Sequence, residues 1–200
     1  DIAQCLVGSE MCIRDSTKTV GAVTAVFVWD TAGSTPQLLS DGTTDFVYGP
    51  AGTPVEQFAA SGAGNQQFYF SDPHGSTVAL TNSTGTVDAT WAYSPWGVVT
   101  AHSGAASTSI LFAGAYRDAE SGLLYLQARY YDPATAVFLT VDPLVALTGQ
   151  AYVYTGDDPL NKTDPTGRSW QAFVAGAASA VFGNGQVPWR GVTPVVPCDG

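Results

Sequence analysis

Short aromatic runs recur about every 20 residues in this sequence, and each run closes in a turn that contains glycine. Within a run the aromatic residues alternate with small or polar ones, which places successive rings on one face of an extended strand. Self-similarity at a fixed spacing is typical of stacked copies of one supersecondary unit. The pattern therefore predicts an all-β fold built from repeated antiparallel β-hairpins. The runs are FVWDTAG (27–33), FVYGPAG (46–52), FYFSDPHG (68–75) and WAYSPWG (91–97).

The segments between the runs supply the second strand of each predicted hairpin. Strands are predicted in PQLLSDGT (36–43) and PVEQF (54–58). The clearest hairpin lies within residues 76–93, where STVALT is followed by the turn NSTG and then by TVDATWAY. Asp-Gly and Asn-to-Gly sequences are favoured in tight turns, because Asn and Asp bond nearby backbone groups and Gly adopts a positive φ. This turn chemistry supports the hairpin interpretation.

The charge distribution argues against several classes of function. The formal net charge is −10, and no Lys or Arg occurs between Lys18 and Arg117. Binding to nucleic acid or to anionic membrane requires a basic surface. The three cysteines are too widely spaced for a disulfide framework or a zinc site, and no stretch approaches 18 apolar residues. We therefore expect no nucleic-acid partner, no membrane partner, no metal and no cofactor.

The segment between residues 110 and 167 departs from the repeated pattern and contains four Asp-Pro steps. Asp before Pro favours extended or turn conformations, and its carboxylate can accept backbone N–H groups. This chemistry alone predicts that each Asp-Pro step lies in a turn. The segment LLYLQARYY (123–131) alternates well enough to predict one strand. The steps begin at Asp132, Asp142, Asp158 and Asp164.

The stretch RYYDPATAVFLTVDPLVALTGQAYVYTGDDPLNKTDPTG (129–167) resembles the RHS repeat-associated core domain of bacterial Rhs-type polymorphic toxins. The segment FAGAYRDAESGLLYLQARYYDP (112–133) resembles the entry to that domain. Upstream, LLSDGTTDFVYGP (38–50) and SDPHGSTVALTNSTGTVDATWAYSPWG (71–97) resemble the YD repeats of the same proteins. The resemblance extends over roughly residues 24 to 168.

This resemblance implies a hollow β-shell that encloses a variable C-terminal toxin and is capped by the core domain. It also implies an intramolecular aspartyl protease that cuts just after the DPxG motif. The family's catalytic Arg and two Asp residues match Arg129, Asp142 and Asp164 here. The cut would lie near Arg168–Ser169, although many relatives have Leu where this chain has Arg168. The only enzymatic activity implied for this fragment is this single-turnover reaction.

The chemistry of two carboxylates suits such a reaction. Two carboxylates held close together do not both ionise easily, so one can activate a water while the other donates a proton. Arg129 could hold one carboxylate charged or stabilise an oxyanion. The alternative is that the Asp-Pro steps only make turns. The family's Asn-Asn-Pro element is Asp157-Asp158-Pro159 here, and these two acids either perturb the site or face solvent.

The chain divides into four predicted regions. Residues 1–19 form a disordered, non-native leader, because CLVGSEMCIRD (5–15) resembles the in-frame translation of a transposase-based sequencing adaptor. Residues 20–109 hold YD-repeat hairpins, and residues 110–168 form the core domain. Residues 169–200 begin the variable toxin region, with a short helix predicted at 170–183 from its apolar face.

Two functions follow as expectations. In the first, the chain is part of a secreted or cell-surface toxin-delivery shell, whose partners are its own C-terminal toxin segment, the upstream repeats and an immunity protein. In the second, it belongs to a surface adhesin without toxin, and its aromatic runs bind carbohydrate. We expect the aromatic rings to pack in the core of the sheet and not to bind carbohydrate. The lone residues His74 and His102 lack partner ligands at metal spacing.

Overall fold

The structure is a computed structural model that describes residues 17–32, 36–50, 52–62 and 64–168, together with the backbone of 171–172. The adaptor-like stretch (5–15) and Ser169 lie outside the described residues, and so does the helix predicted at 170–183 except for Gln171 and Ala172. The backbone of these two residues forms a strand, so the helix prediction is wrong there. The described part of the chain is almost entirely antiparallel β-structure, which confirms the predicted fold class.

Eight strands form one sheet in which every strand pairs with its neighbour in sequence. This is the arrangement that repeated hairpins produce, and its pairs are antiparallel throughout. The strands are β3 (Val28–Asp30), β4 (Gln37–Ser40), β5 (Thr44–Tyr48), β6 (Pro54–Ala59), β7 (Gln67–Ser71), β8 (Thr77–Asn82), β9 (Val87–Tyr93) and β10 (Val99–Gly104).

Carboxylate and amide side chains close the turns between these strands. Asp72 Oδ1 accepts the backbone N–H groups of His74 and Ser76, each at 2.8 Å. Asn82 Oδ1 accepts those of Thr84 at 3.0 Å and Thr86 at 3.1 Å. These bonds satisfy backbone donors that the sheet ladder leaves unpaired, so the turn chemistry read from the sequence fixes where each hairpin reverses.

A separate hairpin precedes the eight-stranded sheet, and ion pairs join it to the loop after the first strand of a second sheet. Strands β1 (Thr17–Val20) and β2 (Val23–Val26) pair in register, and β1 includes residues that the sequence interpretation assigns to the leader. Lys18 Nζ donates to the carboxylates of Asp118 and Glu120. These contacts tie the hairpin to the segment that begins the second sheet.

The second sheet has the order β11 (Tyr116–Arg117), β12 (Leu124–Leu126), β13 (Arg129–Asp132) and β14 (Val137–Phe138). The prediction of one strand over 123–131 is wrong, because the chain reverses after Leu126 and makes two paired strands instead. Gln127 adopts a φ of +60°, and Ala128 N–H bonds the Leu126 carbonyl at 2.7 Å. The remaining elements are a short helix α1 (Val145–Thr148), two 3-10 turns (Phe112–Gly114 and Thr155–Asp157), and the strand pair β15 (Lys162–Thr163) and β16 (Gln171–Ala172).

Three consecutive residues join the two sheets into one core. Ile110 packs with Leu38 and Phe46, Leu111 packs with the cluster around Leu80, and Phe112 packs in the core of the second sheet. The backbone of this segment is also bonded to the first sheet, for Thr77 N–H donates to the Leu111 carbonyl at 3.1 Å. The second sheet is therefore supported by the repeat hairpins.

We expect the isolated 200-residue chain to self-associate. Strands β3 and β10 are the outer strands of the eight-stranded sheet, so each presents a row of N–H and C=O groups to a further strand. Val28 on β3 is 48% exposed and adds apolar surface to that edge. Size-exclusion chromatography with light scattering at micromolar concentration should show oligomers or loss to aggregation. A monodisperse monomer that melts cooperatively would contradict this.

The tie between Lys18 and Asp118 should make stability depend on acid. Burial raises the pKa of Asp118, but hydrogen bonds from Lys18 and Ser121 outweigh it, so the pKa lies below its ordinary value. The stabilisation is therefore complete above about pH 4 and is lost as the pH falls through the lowered folded-state pKa. Asp118→Asn should cost about 2 kcal/mol at neutral pH and flatten the acid dependence.

Urea unfolding followed by tryptophan fluorescence at submicromolar concentration, repeated from pH 7 to pH 3, measures this effect. Glu120→Gln is the matched control, because its carboxylate contacts the same Lys18 but is about half exposed and such pairs contribute little. Equal pH slopes for wild type and Asp118→Asn would rule out the proposed linkage.

Candidate active site at Arg129

Arg129 is the first residue of β13, and its side chain is buried in the second sheet at 3% exposure. The reversal at Gln127 and Ala128 turns the chain so that Arg129 points inward. Its guanidinium carbon lies 3.5 Å from the centroid of the Phe138 ring, a cation–π arrangement. A guanidinium buried in this way stays charged and must be compensated by nearby anions or acceptors.

Both predicted catalytic carboxylates converge on Arg129. Arg129 Nη2 lies 3.4 Å from Asp164 Oδ2 and 3.7 Å from Asp142 Oδ2. Asp142 is 7% exposed and Asp164 is 2% exposed. The structure therefore brings together the three residues that the resemblance singled out, although 35 residues separate Arg129 from Asp164.

Each carboxylate has one oxygen on the backbone of its own turn and the other toward Arg129. Asp142 Oδ1 accepts Leu144 N–H at 2.7 Å, while Asp142 N–H bonds the Ala151 carbonyl at 2.7 Å. Asp164 Oδ1 accepts Arg168 N–H at 3.2 Å and the Thr166 hydroxyl at 3.3 Å. The Asp-Pro turns predicted from the sequence are present, and the same turns aim the carboxylates at the buried cation.

The DPTG motif is itself bound in the site. Arg129 Nε–H donates to the carbonyl of Gly167, and Ala128 N–H bonds the Thr166 carbonyl at 3.2 Å. The peptide between Gly167 and Arg168 is therefore held at both ends, its oxygen by Arg129 and its nitrogen by Asp164. Arg168 is exposed, and Ser169 lies outside the described residues.

Burial and charge act in opposite directions on Arg129. Burial lowers the pKa of the guanidinium from its ordinary value, and Asp142 and Asp164 raise it. Guanidinium groups titrate so far above neutrality that Arg129 remains a cation at pH 7. One buried cation therefore faces two carboxylates.

Aromatic residues that the sequence interpretation did not assign to the site form its wall. The ring of Tyr154 lies 4.4 Å from that of Tyr131 and 5.9 Å from that of Phe138. Burial raises the pKa of Tyr154 to about 12. The alternating patterns in AVFLTVDP and AYVYTGDD predict strands that carry these rings. The patterns do not predict which residues the rings contact.

The two extra acids of the DDP element lie at the surface. Asp157 is exposed, and Asp158 contacts Asn161 at 2.8 Å and Lys162 at 3.9 Å. Of the two alternatives left open by the sequence, solvent exposure is the one that these contacts support.

The two histidines make local contacts in separate parts of the fold. His102 stacks on Trp91 with ring centroids 4.9 Å apart, and His74 Nε2 lies 3.3 Å from the Leu160 carbonyl. Within the described ranges, no group of three His, Cys, Asp or Glu residues is arranged to hold a metal ion. The same ranges contain no helix that is both apolar enough and long enough to cross a bilayer.

The aromatic runs supply rings to the core. Phe46 and Trp91 are buried, and Tyr69 and Tyr93 pack against their clusters. The rings with an exposed side, such as Phe70, alternate with these on the outer face. Packing the sheet is thus what most of these rings do.

No protein-family model matches the chain. Curated relatives include the tRNA(Glu)-specific nuclease WapA of Bacillus subtilis subsp. natto, 37% identical over 123 residues, which are 58% of this chain and 5% of that protein. Double-stranded DNA deaminase toxin A of Burkholderia cenocepacia is 30% identical over 168 residues, 73% of this chain and 12% of the toxin. Probable deoxyribonuclease RhsB of Dickeya dadantii is 40% identical over 58 residues, 29% of this chain and 4% of that protein.

Among solved structures, the crystal structure of TcdB2-TccC3 matches with a TM-score of 0.57 at 20% identity, over 76% of this chain and 8% of the other. This match shows a shared fold. The chain is therefore similar to Rhs- and Tc-toxin-related proteins, and it spans only 4% to 12% of the curated relatives' lengths.

Gly167 should be the most sensitive glycine of the site. Its φ is +63°, and a Cβ there would lie 2.4 Å from the Leu126 carbonyl oxygen. Gly149 has a φ of +68° with nothing within 4 Å, so it is a matched control. We expect Gly149→Ala to cost about 1–2 kcal/mol for the left-handed backbone alone. Gly167→Ala should cost at least about twice as much, since backbone must also move.

Pulse proteolysis in urea measures the free energy of unfolding on dilute, unpurified chain and so avoids self-association. Equal losses in the two variants would show that the approach of Gly167 to β12 does not constrain the fold.

Proposed function

We propose that the chain is part of the β-shell of an Rhs-type toxin-delivery protein, which encloses a C-terminal effector and releases it by self-cleavage after the DPTG motif. The likeness to Rhs- and Tc-toxin-related proteins and the antiparallel hairpin array support the shell. On this proposal the partners are the protein's own effector segment, the upstream repeats and an immunity protein, and the protein acts after secretion or at the cell surface.

One observation carries the self-cleavage: a single buried arginine contacts both carboxylates and the carbonyl of the DPTG glycine. A catalytic group must lie within hydrogen-bonding reach of the reacting atoms, and the peptide backbone that follows Asp164 enters the site directly. Because the substrate is part of the same chain, its positioning is unimolecular.

The chemistry requires no cofactor. The ionised carboxylate of the pair Asp142 and Asp164 removes a proton from a water as its oxygen attacks the carbonyl carbon of the bond that is cut. The protonated member donates its proton to the leaving amine as the C–N bond breaks, as in aspartic proteases. Arg129 favours ionisation of one carboxylate and holds the DPTG turn. With the cut at Arg168–Ser169, the products are a new carboxyl group on Arg168 and a free amine on Ser169.

The delivery shell is favoured over a carbohydrate-binding adhesin. An aromatic platform for sugars needs exposed ring faces, whereas Phe46 and Trp91 are buried and Tyr69 and Tyr93 pack against the core. A surface adhesin also gives no reason to bury an arginine between two acids beside a chain reversal.

We expect both Asp142→Asn and Asp164→Asn to abolish cutting, because each amide removes one group that exchanges protons. The complete parent shell with its C-terminal tail is expressed, and intact masses are followed over time. Wild type should yield a C-terminal fragment that begins at Ser169. Asp132→Asn is the matched control, since Asp132 also precedes a proline but bonds only within its own exposed turn.

An uncut wild-type chain would reject the self-cleavage. Cutting that persists in both Asn variants would reject the assignment of Asp142 and Asp164. A C-terminal fragment beginning at Arg168 instead of Ser169 would move the cut to the peptide bond that Arg129 and Asp164 hold.

A further inference from the structure

Arg129 keeps one end of its guanidinium without a partner. Nε–H donates to the Gly167 carbonyl and Nη2 faces the two carboxylates, whereas Nη1 is buried and has no hydrogen-bond partner among the described residues. Leaving a buried donor unsatisfied costs about 1–3 kcal/mol and more for a charged group. Such an atom in a native fold calls for an explanation, and a catalytic role is a common one.

A second buried polar atom in the same part of the sheet is also unsatisfied. Thr140 Oγ1 has no hydrogen-bond partner within the described structure. Thr140 follows β14 by two residues and precedes Asp142 by two. It therefore lies between the strand that carries the Phe138 ring and the turn that carries one of the carboxylates.

The strand register points both side chains to the same face of the sheet. Tyr131 pairs with Phe138, and Leu139 N–H bonds the Tyr130 carbonyl at 2.9 Å. Extended past the end of β14 at Phe138, this register would set Arg129 opposite Thr140. Directly opposite residues of an antiparallel pair project to the same side with Cβ atoms about 5 Å apart. The Arg129 guanidinium over the Phe138 ring shows that the side chain does reach across to β14.

We propose that Arg129 Nη1–H and the Thr140 hydroxyl form the oxyanion hole of the self-cleavage reaction. This inference rests on the proposed function. A guanidinium can only donate hydrogen bonds, so any partner of Nη1 must be an acceptor. The Thr140 hydroxyl can rotate to donate as well. Two donors, one of them charged, match the oxygen of a tetrahedral intermediate better than they match a nucleophilic water, which needs an acceptor for its proton.

The step balances without any further reactant. Water adds to the carbonyl carbon of Arg168, the C=O π electrons move onto oxygen, and the resulting oxyanion accepts hydrogen bonds from Nη1 and the Thr140 hydroxyl. The water proton passes to the ionised carboxylate. Collapse of the intermediate restores C=O and breaks the C–N bond, and the amine of Ser169 takes its proton from the protonated carboxyl group. Thr140 stabilises charge and exchanges no proton.

Thr140→Val tests the assignment, because it removes the hydroxyl and keeps the volume. Loss of one oxyanion donor lowers a rate by about 10²–10³-fold, and we expect a fall in that range in the time course of cutting in the complete parent shell. Thr140→Ser retains the hydroxyl and should cut within a few-fold of wild type. Thr148→Val, at an exposed threonine bonded to the backbone of α1, is the matched control and should leave the rate unchanged.

Two further measurements separate chemistry from folding. The threonine hydroxyl does not titrate near neutrality, so the pH profile of Thr140→Val should have the wild-type form at a uniformly lower rate. The urea midpoint in pulse proteolysis should stay near that of wild type or rise, since the variant removes an unsatisfied buried hydroxyl. If Thr140→Val is slow because its chain is unfolded, the rates of Thr140→Ser and Thr140→Ala are compared instead.

The outcomes distinguish this inference from the proposed function. Wild-type rates in Thr140→Val, or a Thr140→Ser variant as slow as Thr140→Val, would overturn the oxyanion hole and leave the self-cleavage intact. A wild-type chain that stays uncut would overturn both.

Discussion

The buried charge of Arg129 is the constraint on which the second sheet depends. A guanidinium at 3% exposure can be tolerated only if anions and carbonyls replace the water that it has lost. The chain supplies these from two distant turns, those at Asp142 and Asp164, and from the carbonyl of Gly167. Removing one member of such a cluster leaves an uncompensated charge, at a cost of about 3–5 kcal/mol. The contacts that would perform the chemistry are thus the same contacts that close this part of the fold.

The precision of that cluster depends in turn on the repeat hairpins. Phe112, in the segment that links the two sheets, packs against Tyr154 with ring centroids 6.2 Å apart, and Tyr154 forms part of the wall around the site. The residue that follows is also fixed to the first sheet, because Ala113 N–H donates to the buried Ser76 hydroxyl at 3.1 Å. A catalytic group must be held within a fraction of an ångström, which a small four-stranded sheet alone would not ensure. The hairpin array therefore acts as a rigid base for the site.

The strands of the first sheet could be predicted because their signals are local. Alternating aromatics define each strand, and Asp, Asn and Gly define each turn, so strand position follows from short windows of sequence. The error over 123–131 has a non-local cause. Gln127 and Ala128 carry no turn signal, and the chain reverses there where Gly167 approaches within reach of the Leu126 carbonyl. Arg129, Asp142 and Asp164 are identified by resemblance, whereas Phe138 comes next to Arg129 only through cross-strand register, which one sequence does not specify.

On the proposed mechanism, single turnover follows from the position of the Arg129 ligands relative to the bond that is cut. Asp142, Asp164 and Gly167 all precede the proposed bond, so every charge and carbonyl that compensates Arg129 stays in the N-terminal product. The free energy of the Arg129 cluster therefore changes little on cutting. The new carboxyl group of Arg168 remains attached to a turn whose backbone is already bonded to Asp164. A product covalently tethered in its own site excludes any second substrate by effective concentration alone. On the proposed mechanism the reaction frees the downstream chain and at the same time leaves the core domain folded and inactive.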